Sequence, residues 1–492
     1  MFAGYVRYSE PLPSCSNSAM LCAAGVLGLP QGVNVPEGAT IVPSELAKEG
    51  WKAEGVAPFE PRKGCGRSAQ CIPACNTHDL DYEVPVVGSG RNRTRLCRTC
   101  DCAACSTCGE VVMRWTSPSG QTLESLRVQT DPPFVFAYNP LDTDMVHMVH
   151  TLAVEPRLTR VWHELTWQCC AGPDGLIVDV GGNYGWYTLY SLALGCSVVV
   201  FEPVPAYQDI MRLGLWLNPG FSSRVTIYGN VVYDTPGVYD LRVPIPVKRL
   251  DKLIPLGMTG MGGRSGYLKT VWSAKANIVK ARSLRIDDVV QRNICLMKAD
   301  VEGYEPQVFH TAAALLGRYS VPALQLELTK TKDPNQTCAA INMLKHFGGP
   351  MGFKLRQVMS RRVHDPLPYL TNVSWRTAPS EWDRIDPFPS RPGMSITAAY
   401  RSDFRGFSTN LVGIRPVDFR YSGDSIERPA LECTEQDAAK ARRSSLQVGK
   451  GKGFGKAAGK MMGAKMGKAS GRASSSGAPV SSLRKLRAGR LS

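Results

Sequence analysis

The chain has 492 residues, of which 43% are hydrophobic and 20% are charged, so it can form one large or two to three ordinary globular domains. Its formal net charge is +16, but fourteen lysines and arginines follow Asp437 with no acidic residue among them, which leaves only about +2 for the rest. The charge therefore argues against a basic nucleic-acid-binding surface on the folded part, and it assigns the basic character to the C-terminal tail.

The beginning of the chain gives few signals of regular structure. Residues 1–64 contain many prolines and glycines, which favours an irregular segment. No apolar signal peptide opens the sequence, and no run of ~20 apolar residues predicts a membrane span. These absences favour a cytoplasmic location over the secretory pathway, although sequons at Asn92, Asn335 and Asn372 point weakly the other way.

A cysteine-rich lobe is predicted at residues 65–110, where eight of the sixteen cysteines fall. Pairs separated by two residues can present two thiolates to one tetrahedral zinc ion. The same even count also suits disulfides in an oxidising compartment. We predict a structural zinc ion, with disulfides as the alternative, and the candidate ligands are Cys97, Cys100, Cys105 and Cys108.

The most informative stretch of the chain predicts a strand, a turn, a helix and a second strand. The apolar run at residues 176–180 is bounded by glycines and suits a strand that is covered on both faces. A helix is predicted at residues 186–194, and its free N–H groups would point back at a ligand on the turn. A second buried strand at residues 197–201 ends at Glu202, where a carboxylate can accept hydrogen bonds from both hydroxyls of a ribose.

The glycine turn indicates which nucleoside would bind. It contains Asp179, Gly181, Asn183 and Gly185 in the order D-x-G-x-N-x-G, and not the G-x-G-x-x-G of dinucleotide-binding proteins. This form resembles motif I of S-adenosylmethionine-dependent methyltransferases, whose cofactor has no pyrophosphate. The two glycines and Asn183 would shape the cofactor loop, and Asp179 would anchor the amino-acid end of the cofactor. A glycine turn without any ligand is the alternative.

Two features follow the second strand. A third strand is predicted at residues 224–228, and Asn230 comes just after it, where related folds place residues against the adenine ring. A long insertion near residues 244–280, with prolines, glycines and lysines, lies where a substrate lid could form.

A second motif places carboxylates after another short apolar strand, at residues 295–298. Ligands of open α/β sheets bind outside the carboxyl ends of the strands, so Asp300 and Glu302 would face a sulfonium cation and a substrate hydroxyl there. We predict a catalytic or substrate-orienting role for both, with Asp300 as the first choice. The alternative is that both only cap the helix that begins near Tyr304. Lys298 would pair with a carboxylate, either inside the site or as a structural ion pair.

Taken together, the two motifs resemble the FkbM-type methyltransferases. Those proteins carry an acidic-glycine-asparagine loop, the tripeptide F-E-P, a T-L-D-D segment and the motif K-I-D-V-E-G-x-E. The sequence departs from them at Gly182, Ile286 and Ala299, where the family has alanine, leucine and isoleucine. The residues that it keeps are Phe201, Glu202, Pro203, Asp287, Asp288, Lys298, Asp300, Val301, Glu302, Gly303 and Glu305.

The resemblance covers roughly residues 130–415 and has clear implications for fold and function. It implies an α/β fold with a Rossmann-like class I methyltransferase sheet and helices on both faces, at residues 125–415. Strand-like pieces at residues 353–358 and 410–414 would complete this sheet as antiparallel strands. The resemblance also implies S-adenosylmethionine as cofactor and O-methylation of a hydroxyl acceptor, which could be a glycan, a lipid or a small metabolite.

The tail at residues 438–492 is rich in glycine, lysine, alanine and serine, and this composition predicts a disordered, solvated extension. Its clustered lysines could attract an anionic partner, either a nucleic acid or a membrane surface. Two alternatives to the enzyme prediction follow. One is a non-catalytic adaptor that binds through the cysteine-rich lobe and the tail, and the other is an RNA-directed methyltransferase guided by the tail.

Overall fold

The computed structural model describes residues 29–46, 50–56, 112–142, 153–244, 260–261, 276–329, 333–359, 375, 380–402 and 408–419. The predicted zinc ligands Cys97, Cys100, Cys105 and Cys108 lie outside the described residues, and so does the predicted tail at 438–492. Those two predictions therefore remain predictions.

The described residues form seventeen strands and eight α-helices. The strands are β1 (Ile41–Val42), β2 (Lys52–Val56), β3 (Val112–Thr116), β4 (Thr122–Arg127), β5 (Val135–Tyr138), β6 (Leu176–Val180), β7 (Ser197–Phe201), β8 (Val225–Tyr228), β9 (Val231–Val232), β10 (Val238–Pro244), β11 (Gly260–Met261), β12 (Ala276–Leu284), β13 (Leu296–Ala299), β14 (Ala323–Thr329), β15 (Lys354–Met359), β16 (Asp386–Phe388) and β17 (Ser408–Ile414). The helices are α1 (Pro156–Cys170), α2 (Trp186–Leu194), α3 (Pro205–Leu217), α4 (Ile286–Val289), α5 (Glu305–Thr311), α6 (Ala313–Arg318), α7 (Pro334–Gly348) and α8 (Ile396–Ser402).

A nine-stranded mixed sheet is the centre of the fold, in the order β1-β8-β7-β6-β13-β14-β17-β15-β16. The five strands from β8 to β14 are parallel, whereas β1, β17, β15 and β16 pair antiparallel with their neighbours. From β6 the chain builds outward through β7 and β8, and it later returns to β13 on the other side of β6. The strand order thus reverses between β6 and β13, and open α/β sheets bind their ligands outside such a reversal.

Apolar side chains alternate between the two faces of the parallel strands, and helices cover both faces. Ile177 and Val198 belong to a core that includes residues of α1, α2 and α3. Their neighbours Val178 and Val199 belong to a second core that includes residues of α4 to α7. Because successive residues of a strand point to opposite faces, near-continuous apolar runs are what a sheet covered on both sides requires. The predicted α/β sheet with helices on both faces is confirmed.

Several predicted elements coincide with the observed ones. The first strand, the following helix and the second strand have the predicted bounds, as β6, α2 and β7. The strand predicted at 295–298 is shifted by one residue, as β13, and the two pieces expected to complete the sheet are β15 and β17. Within the segment that we expected to be irregular, β1 and β2 form because each adds to one side of a sheet as its edge strand, by pairing with β8 and β3 respectively.

Two smaller four-stranded sheets accompany the central one. The antiparallel sheet β2-β3-β4-β5 precedes α1. In the sheet β11-β10-β12-β9, β11 lies within the predicted insertion at residues 244–280, β9 lies before it, and β10 and β12 extend beyond its two ends. β10 and β12, at the two ends of the insertion, pair antiparallel over seven residues, and residues 245–259 and 262–275 lie outside the described part of the chain. The lid therefore remains a prediction. Among the described helices, none is long and apolar enough to cross a membrane.

Two disulfides join the last turn of α1 to the sheet. Cys169 is bonded to Cys295, which directly precedes β13, and Cys170 is bonded to Cys196, which directly precedes β7. Both bridges therefore lie at the amino-terminal edge of the parallel strands, opposite the edge where ligands of such sheets bind.

Candidate active site

The glycine loop at the carboxyl end of β6 has a backbone that only glycine accommodates at its key position. Gly181 has φ 80°, and a Cβ atom there would lie 1.9 Å from the backbone oxygen of Asp300. Gly185 has φ 85°, and a Cβ atom would lie 2.6 Å from Cγ of Met211. The loop is thus packed tightly against β13 and α3, and its backbone can approach a ligand closely.

Glu202 lies beside this loop, at the end of β7. Its carboxylate accepts hydrogen bonds from the backbone N–H groups of Asn183, at 2.7 Å, and Val204, at 2.8 Å. Burial raises the pKa of Glu202 to about 8, although the two hydrogen bonds oppose this rise. The side-chain oxygen of Asn183 is buried and accepts no hydrogen bond from the described residues. An orphaned acceptor next to a buried carboxyl group is what a loop lacking its polar ligand would show.

A charged cluster links β6 and β13 on the face that α1, α2 and α3 cover. Lys298 and Asp179 are direct neighbours in the strand register, and Nζ of Lys298 lies 3.5 Å from Asp179 and 3.4 Å from Asp300. The same Nζ donates to the carbonyl oxygen of Gly181 at 3.2 Å. Burial alone would lower the pKa of Lys298, but the carboxylates of Asp300, Asp179 and Glu155 raise it above its usual value. Lys298 therefore stays charged, and it joins the glycine loop to the predicted catalytic acid.

Asp179 has one of its two oxygens available for a ligand. Its Oδ2 accepts a hydrogen bond from the hydroxyl of Thr188 in α2, at 2.7 Å. Its Oδ1 is buried, lies near Lys298 and accepts no hydrogen bond within the described part of the chain. This oxygen is the atom that could receive a donor from the cofactor.

Glu155 joins the same cluster, and sequence reasoning missed it. It is the N-cap residue of α1, with φ 44°, and its Oε2 accepts a hydrogen bond from the hydroxyl of Tyr187 at 2.8 Å. The Tyr187 ring lies under Nζ of Lys298, 5.5 Å from the ring centroid. Burial, followed by the charge of Asp300, raises the pKa of Glu155 to about 7. The only sequence signal is an acidic residue directly before Pro156, and this signal indicates a helix start and not a site.

The loop after β13 brings further carboxylates together. Asp300, Glu302 and Glu327 have carboxylate oxygens within 4.8 Å of one another, and all three side chains are half-buried. Glu302 adopts φ 56° and is followed by Gly303 with φ 98°, so the loop turns sharply at this point. This acidic surface adjoins the glycine loop and would attract a cation.

Glu305 shapes this loop from inside. Its Oε1 accepts hydrogen bonds from the backbone N–H groups of Val301 and Gly303, and burial raises its pKa to about 8. The N-cap residue of α5 is Tyr304, which makes no side-chain capping hydrogen bond. Asp300 pairs with Lys298, so its role is not confined to capping this helix.

The amide of Asn230 is bonded to the residues around it. Its side-chain oxygen accepts a hydrogen bond from the backbone of Thr40, and its nitrogen donates to the carbonyl groups of Gly38 and Arg282. The side chain is fully buried. Because both ends of its amide already have partners, Asn230 can support the wall near β8 but has no polar atom to spare for adenine.

Comparison with known families supports one of the candidate classes. Residues 179–363 match the family model described as the methyltransferase FkbM domain. Residues 179–363 are therefore similar to an FkbM methyltransferase domain. The predicted family resemblance is confirmed over this segment, which includes the glycine loop, Glu202 and the Lys298–Glu305 motif. The finding favours a methyltransferase over the adaptor. No curated protein matches the chain.

Solved structures give only distant likenesses. A methyltransferase FkbM from Methylobacillus flagellatus KT is 16% identical, with a TM-score of 0.21, over 37% of this chain and 44% of that chain. Cofactor-bound Rv0187 from MTB is 11% identical, with a TM-score of 0.23, over 53% and 87% of the two chains. A Haemonchus contortus phosphoethanolamine N-methyltransferase 2, solved with phosphomonomethylethanolamine and S-adenosylhomocysteine, is 8% identical, with a TM-score of 0.22, over 60% and 70%. Scores this low add nothing to the functional argument, which rests on the family match and the site geometry.

Proposed function

We propose that this FkbM-like domain is an S-adenosylmethionine-dependent methyltransferase that methylates a hydroxyl group of a glycan, a lipid or a small metabolite. The observation that carries the proposal is the placement of Glu202. Its carboxyl group is buried, is bonded to the backbone of the glycine loop, and lies at the edge of the sheet where the strand order reverses. This is the position from which a carboxylate binds the two hydroxyls of a ribose.

The residues around the loop fit the cofactor. Gly181 and Gly185 leave the loop backbone open to close approach, and Asn183 offers a buried oxygen that needs a donor. Oδ1 of Asp179, which pairs with Lys298 but accepts no hydrogen bond from the described residues, would accept from the amino group of the cofactor, while Asn230 would support the wall of the site. The half-buried acids Asp300 and Glu302 would stabilise a sulfonium cation by charge.

S-Adenosylmethionine, when bound, supplies an electrophilic methyl group on a sulfonium centre. Asp300 would orient the acceptor oxygen toward that methyl carbon, and Lys298 would fix the direction of the Asp300 carboxylate. The acceptor hydroxyl must lose its proton during transfer, and Asp300 or Glu302 would accept it. The hydroxyl specificity follows from the family resemblance, and the supply of carboxylate bases beside the loop supports it.

The first experiment is calorimetric titration of the full chain with S-adenosylmethionine and, separately, with NAD. We expect micromolar affinity for S-adenosylmethionine only, and a loss of about 10- to 100-fold in the Glu202→Ala variant, because a charge-assisted hydrogen bond is worth ~1.5–3 kcal/mol. Glu124→Ala, in the remote strand β4, serves as the matched control and should bind like the wild type. Absence of S-adenosylmethionine binding, or preferential binding of NAD, would contradict the proposal.

The same titration can report on Glu202 itself. Ribose hydroxyls donate to the ionised carboxylate, so binding should lower the pKa of Glu202 from about 8 and release up to about one proton per site near pH 7. Comparing the apparent enthalpy in buffers of different ionisation enthalpy measures this number. The Glu202→Gln variant should release none.

The acceptor class needs a separate measurement. The protein is incubated with methyl-labelled S-adenosylmethionine and with glycan, lipid and small-molecule acceptors, and the labelled products are analysed by NMR for carbon bonded to oxygen or to nitrogen. Label on oxygen is expected, with a loss of turnover in Asp300→Asn. Label on nitrogen would leave the methyltransferase intact but would refute O-methylation.

A further inference from the structure

The two disulfides at the end of α1 have no role in the function proposed so far. Of the four sulfur-bearing residues, Cys170, Cys196 and Cys295 are fully buried, whereas Cys169 is exposed. Both bridges start in the last turn of one helix, and both end directly before a strand that carries a site residue at its other end. β7 leads to Glu202, and β13 leads to Lys298 and Asp300.

Helix α1 connects this cysteine cluster to the candidate active site. It has fifteen residues, which corresponds to about 22 Å. Its last residue lies at the amino-terminal edge of the sheet, and its N-cap residue Glu155 lies at the carboxyl-terminal edge, bonded to Tyr187. The helix therefore spans the sheet from one edge to the other, antiparallel to β6.

Several side chains of α1 also hold it along its axis: Arg157 pairs with Glu381, and Glu164 accepts hydrogen bonds from the backbone N–H groups of Glu381 and Trp382, so the two bridges act together with these contacts. Trp162 donates to Ser191 at 3.2 Å, and Thr159 accepts from Trp186 at 2.9 Å, so α1 is bonded sideways to α2. Packed helices can nevertheless slide along each other by small shear motions. A shift of about 1 Å along the axis would lengthen the 2.8 Å bond between Glu155 and Tyr187 beyond hydrogen-bonding distance. The covalent connection from Cys170 to β6 passes through Gly172 and Gly175, which restrain the helix less than a cross-link does.

We propose that Cys169, Cys170, Cys196 and Cys295 are positioning residues, whose two disulfides fix α1 along its axis and thereby hold Glu155 in the charged cluster of Tyr187, Lys298 and Asp300. This inference rests on the proposed function, because it assigns Glu155 to the methyl-transfer site. The Cys169–Cys295 bridge makes the arrangement sensitive to thiols, since one of its sulfur atoms belongs to an exposed residue.

The redox step involves the bridge and two thiol molecules. A thiolate attacks Sγ of Cys169, a mixed disulfide forms there, and Cys295 leaves as a thiolate that takes up a proton. A second thiolate attacks the reagent's sulfur, which releases Cys169 as a thiol and forms the disulfide of the reagent. Two thiols are oxidised to one disulfide, and Cys169 and Cys295 receive the two electrons and the two protons. The buried Cys170–Cys196 bridge would open only at higher thiol concentration.

The test compares the affinities of S-adenosylmethionine and S-adenosylhomocysteine between pH 5.5 and 8.5. Only the first ligand carries a positive sulfonium centre, so ionisation of Glu155 should strengthen its binding selectively, by roughly tenfold at a separation of several ångströms in a medium of intermediate dielectric. In the oxidised protein, the ratio of the affinity for S-adenosylmethionine to that for S-adenosylhomocysteine should increase with pH, with a midpoint near pH 7. The Glu155→Gln variant should lose the rise, because its affinity for S-adenosylmethionine should stay at the lower, acidic-pH value of the wild type throughout the pH range.

Reduction of the Cys169–Cys295 bridge should move that midpoint to lower pH by at least half a unit, because a displaced Glu155 regains contact with water. Alkylation and mass spectrometry establish which bridge is open, and far-ultraviolet circular dichroism follows the fold. The Cys169→Ala/Cys295→Ala variant should show the shifted midpoint without reductant, and thiol at the same concentration should not change it further. This variant also controls for effects of thiol on the other cysteines.

If the midpoint of the pH dependence is unchanged when the Cys169–Cys295 bridge is shown to be open, the positioning role is overturned. A loss of ligand binding together with the helical signal would overturn it as well, since the bridges would then be purely structural. If the double variant does not fold, reduction of the wild-type chain decides alone. Failure of the oxidised protein to bind S-adenosylmethionine refutes the proposed function itself, and this result differs from every result that concerns the bridges.

Discussion

At the scale of single residues, the site is characterised by carboxyl groups whose removal from water raises their pKa. Glu155, Glu202 and Glu305 all have a raised pKa, and in each case burial is the largest cause. Such groups cost stability when they ionise, and they persist because the loops around them need their hydrogen bonds. Perturbed carboxyl groups that cluster at one sheet edge are typical of functional sites.

Glu305 gives a residue-scale prediction with a definite sign. Its pKa is about 8 in the folded protein and 4.5 without perturbation, so the folded state retains a proton that the unfolded state loses between these values. The free energy of unfolding should therefore decrease as the pH rises from about 4.5 to about 8, by up to ~1.4 kcal/mol per pH unit from this group. In urea unfolding, the stability advantage of the wild type over Glu305→Gln should shrink or reverse as the pH rises over this range. Asp288→Asn, at an exposed acid of α4, is the control. A pH-independent difference would contradict the assignment.

The local sequence could predict some of these residues but not others. Asp179, Gly181, Glu202 and Asp300 follow directly from short motifs, because each lies within a few residues of its strand. Glu155 could not be found this way, because its partners Tyr187 and Asn410 are remote in the chain and the helix that carries it precedes both motifs. For Asn230 the sequence indicated the position but not that residues 38–40 would occupy its amide.

At the scale of elements, the contact between the glycine loop and the strand β13 determines how the parts of the site meet. Lys298 donates to the carbonyl of Gly181, and the Asp300 carbonyl lies where a side chain of residue 181 would begin. The two motifs are thus parts of one packing unit, although more than a hundred residues separate them. Parallel strands can be neighbours in the sheet although they are far apart in sequence, so local sequence patterns do not show such contacts.

Substitution of Gly181 tests this contact. Gly181→Ala should destabilise the protein by about 2–5 kcal/mol, because a positive φ costs ~1 kcal/mol and the clash with the Asp300 carbonyl adds overpacking strain. Gly38→Ala is the matched control, since Gly38 also has φ 82° but has nothing within 4 Å of a built Cβ atom. Chemical denaturation of both variants measures the difference. Equal losses of stability in the two variants would show that the structure relieves the clash with the Asp300 carbonyl at no cost in free energy.

At the scale of the whole molecule, cross-links and long-range strand pairing hold the described residues together. The two bridges close chain segments of 126 and 26 residues, and each ties the same helix to the central sheet. Disulfides of this kind are characteristic of proteins that mature in an oxidising compartment. They therefore favour the secretory pathway, which was the alternative to the cytoplasmic location predicted from the sequence.

The stability of the whole domain should depend on these bridges. In the chain-entropy account, each bridge contributes about 3–5 kcal/mol, and the longer segment contributes more. Urea unfolding in the presence and absence of a strong phosphine reductant should show a loss of this order. The Cys170→Ala/Cys196→Ala variant should account for the smaller share of it. A stability that does not respond to reductant would mean that the bridges are absent in solution.

The pairing of the central sheet has a practical consequence for how the protein is divided. The family match begins at residue 179 and ends at residue 363, whereas β1, α1 and β17 lie outside it. β1 covers the free side of β8, and β17 is inserted between β14 and β15, within the sheet. A fragment cut at the family bounds would keep both sequence motifs, yet it would expose the backbone donors and acceptors of three strands and lack Glu155. The segment that matches the family is thus shorter than the unit that the central sheet builds. Biochemical work should therefore use a fragment that includes β1, α1 and β17.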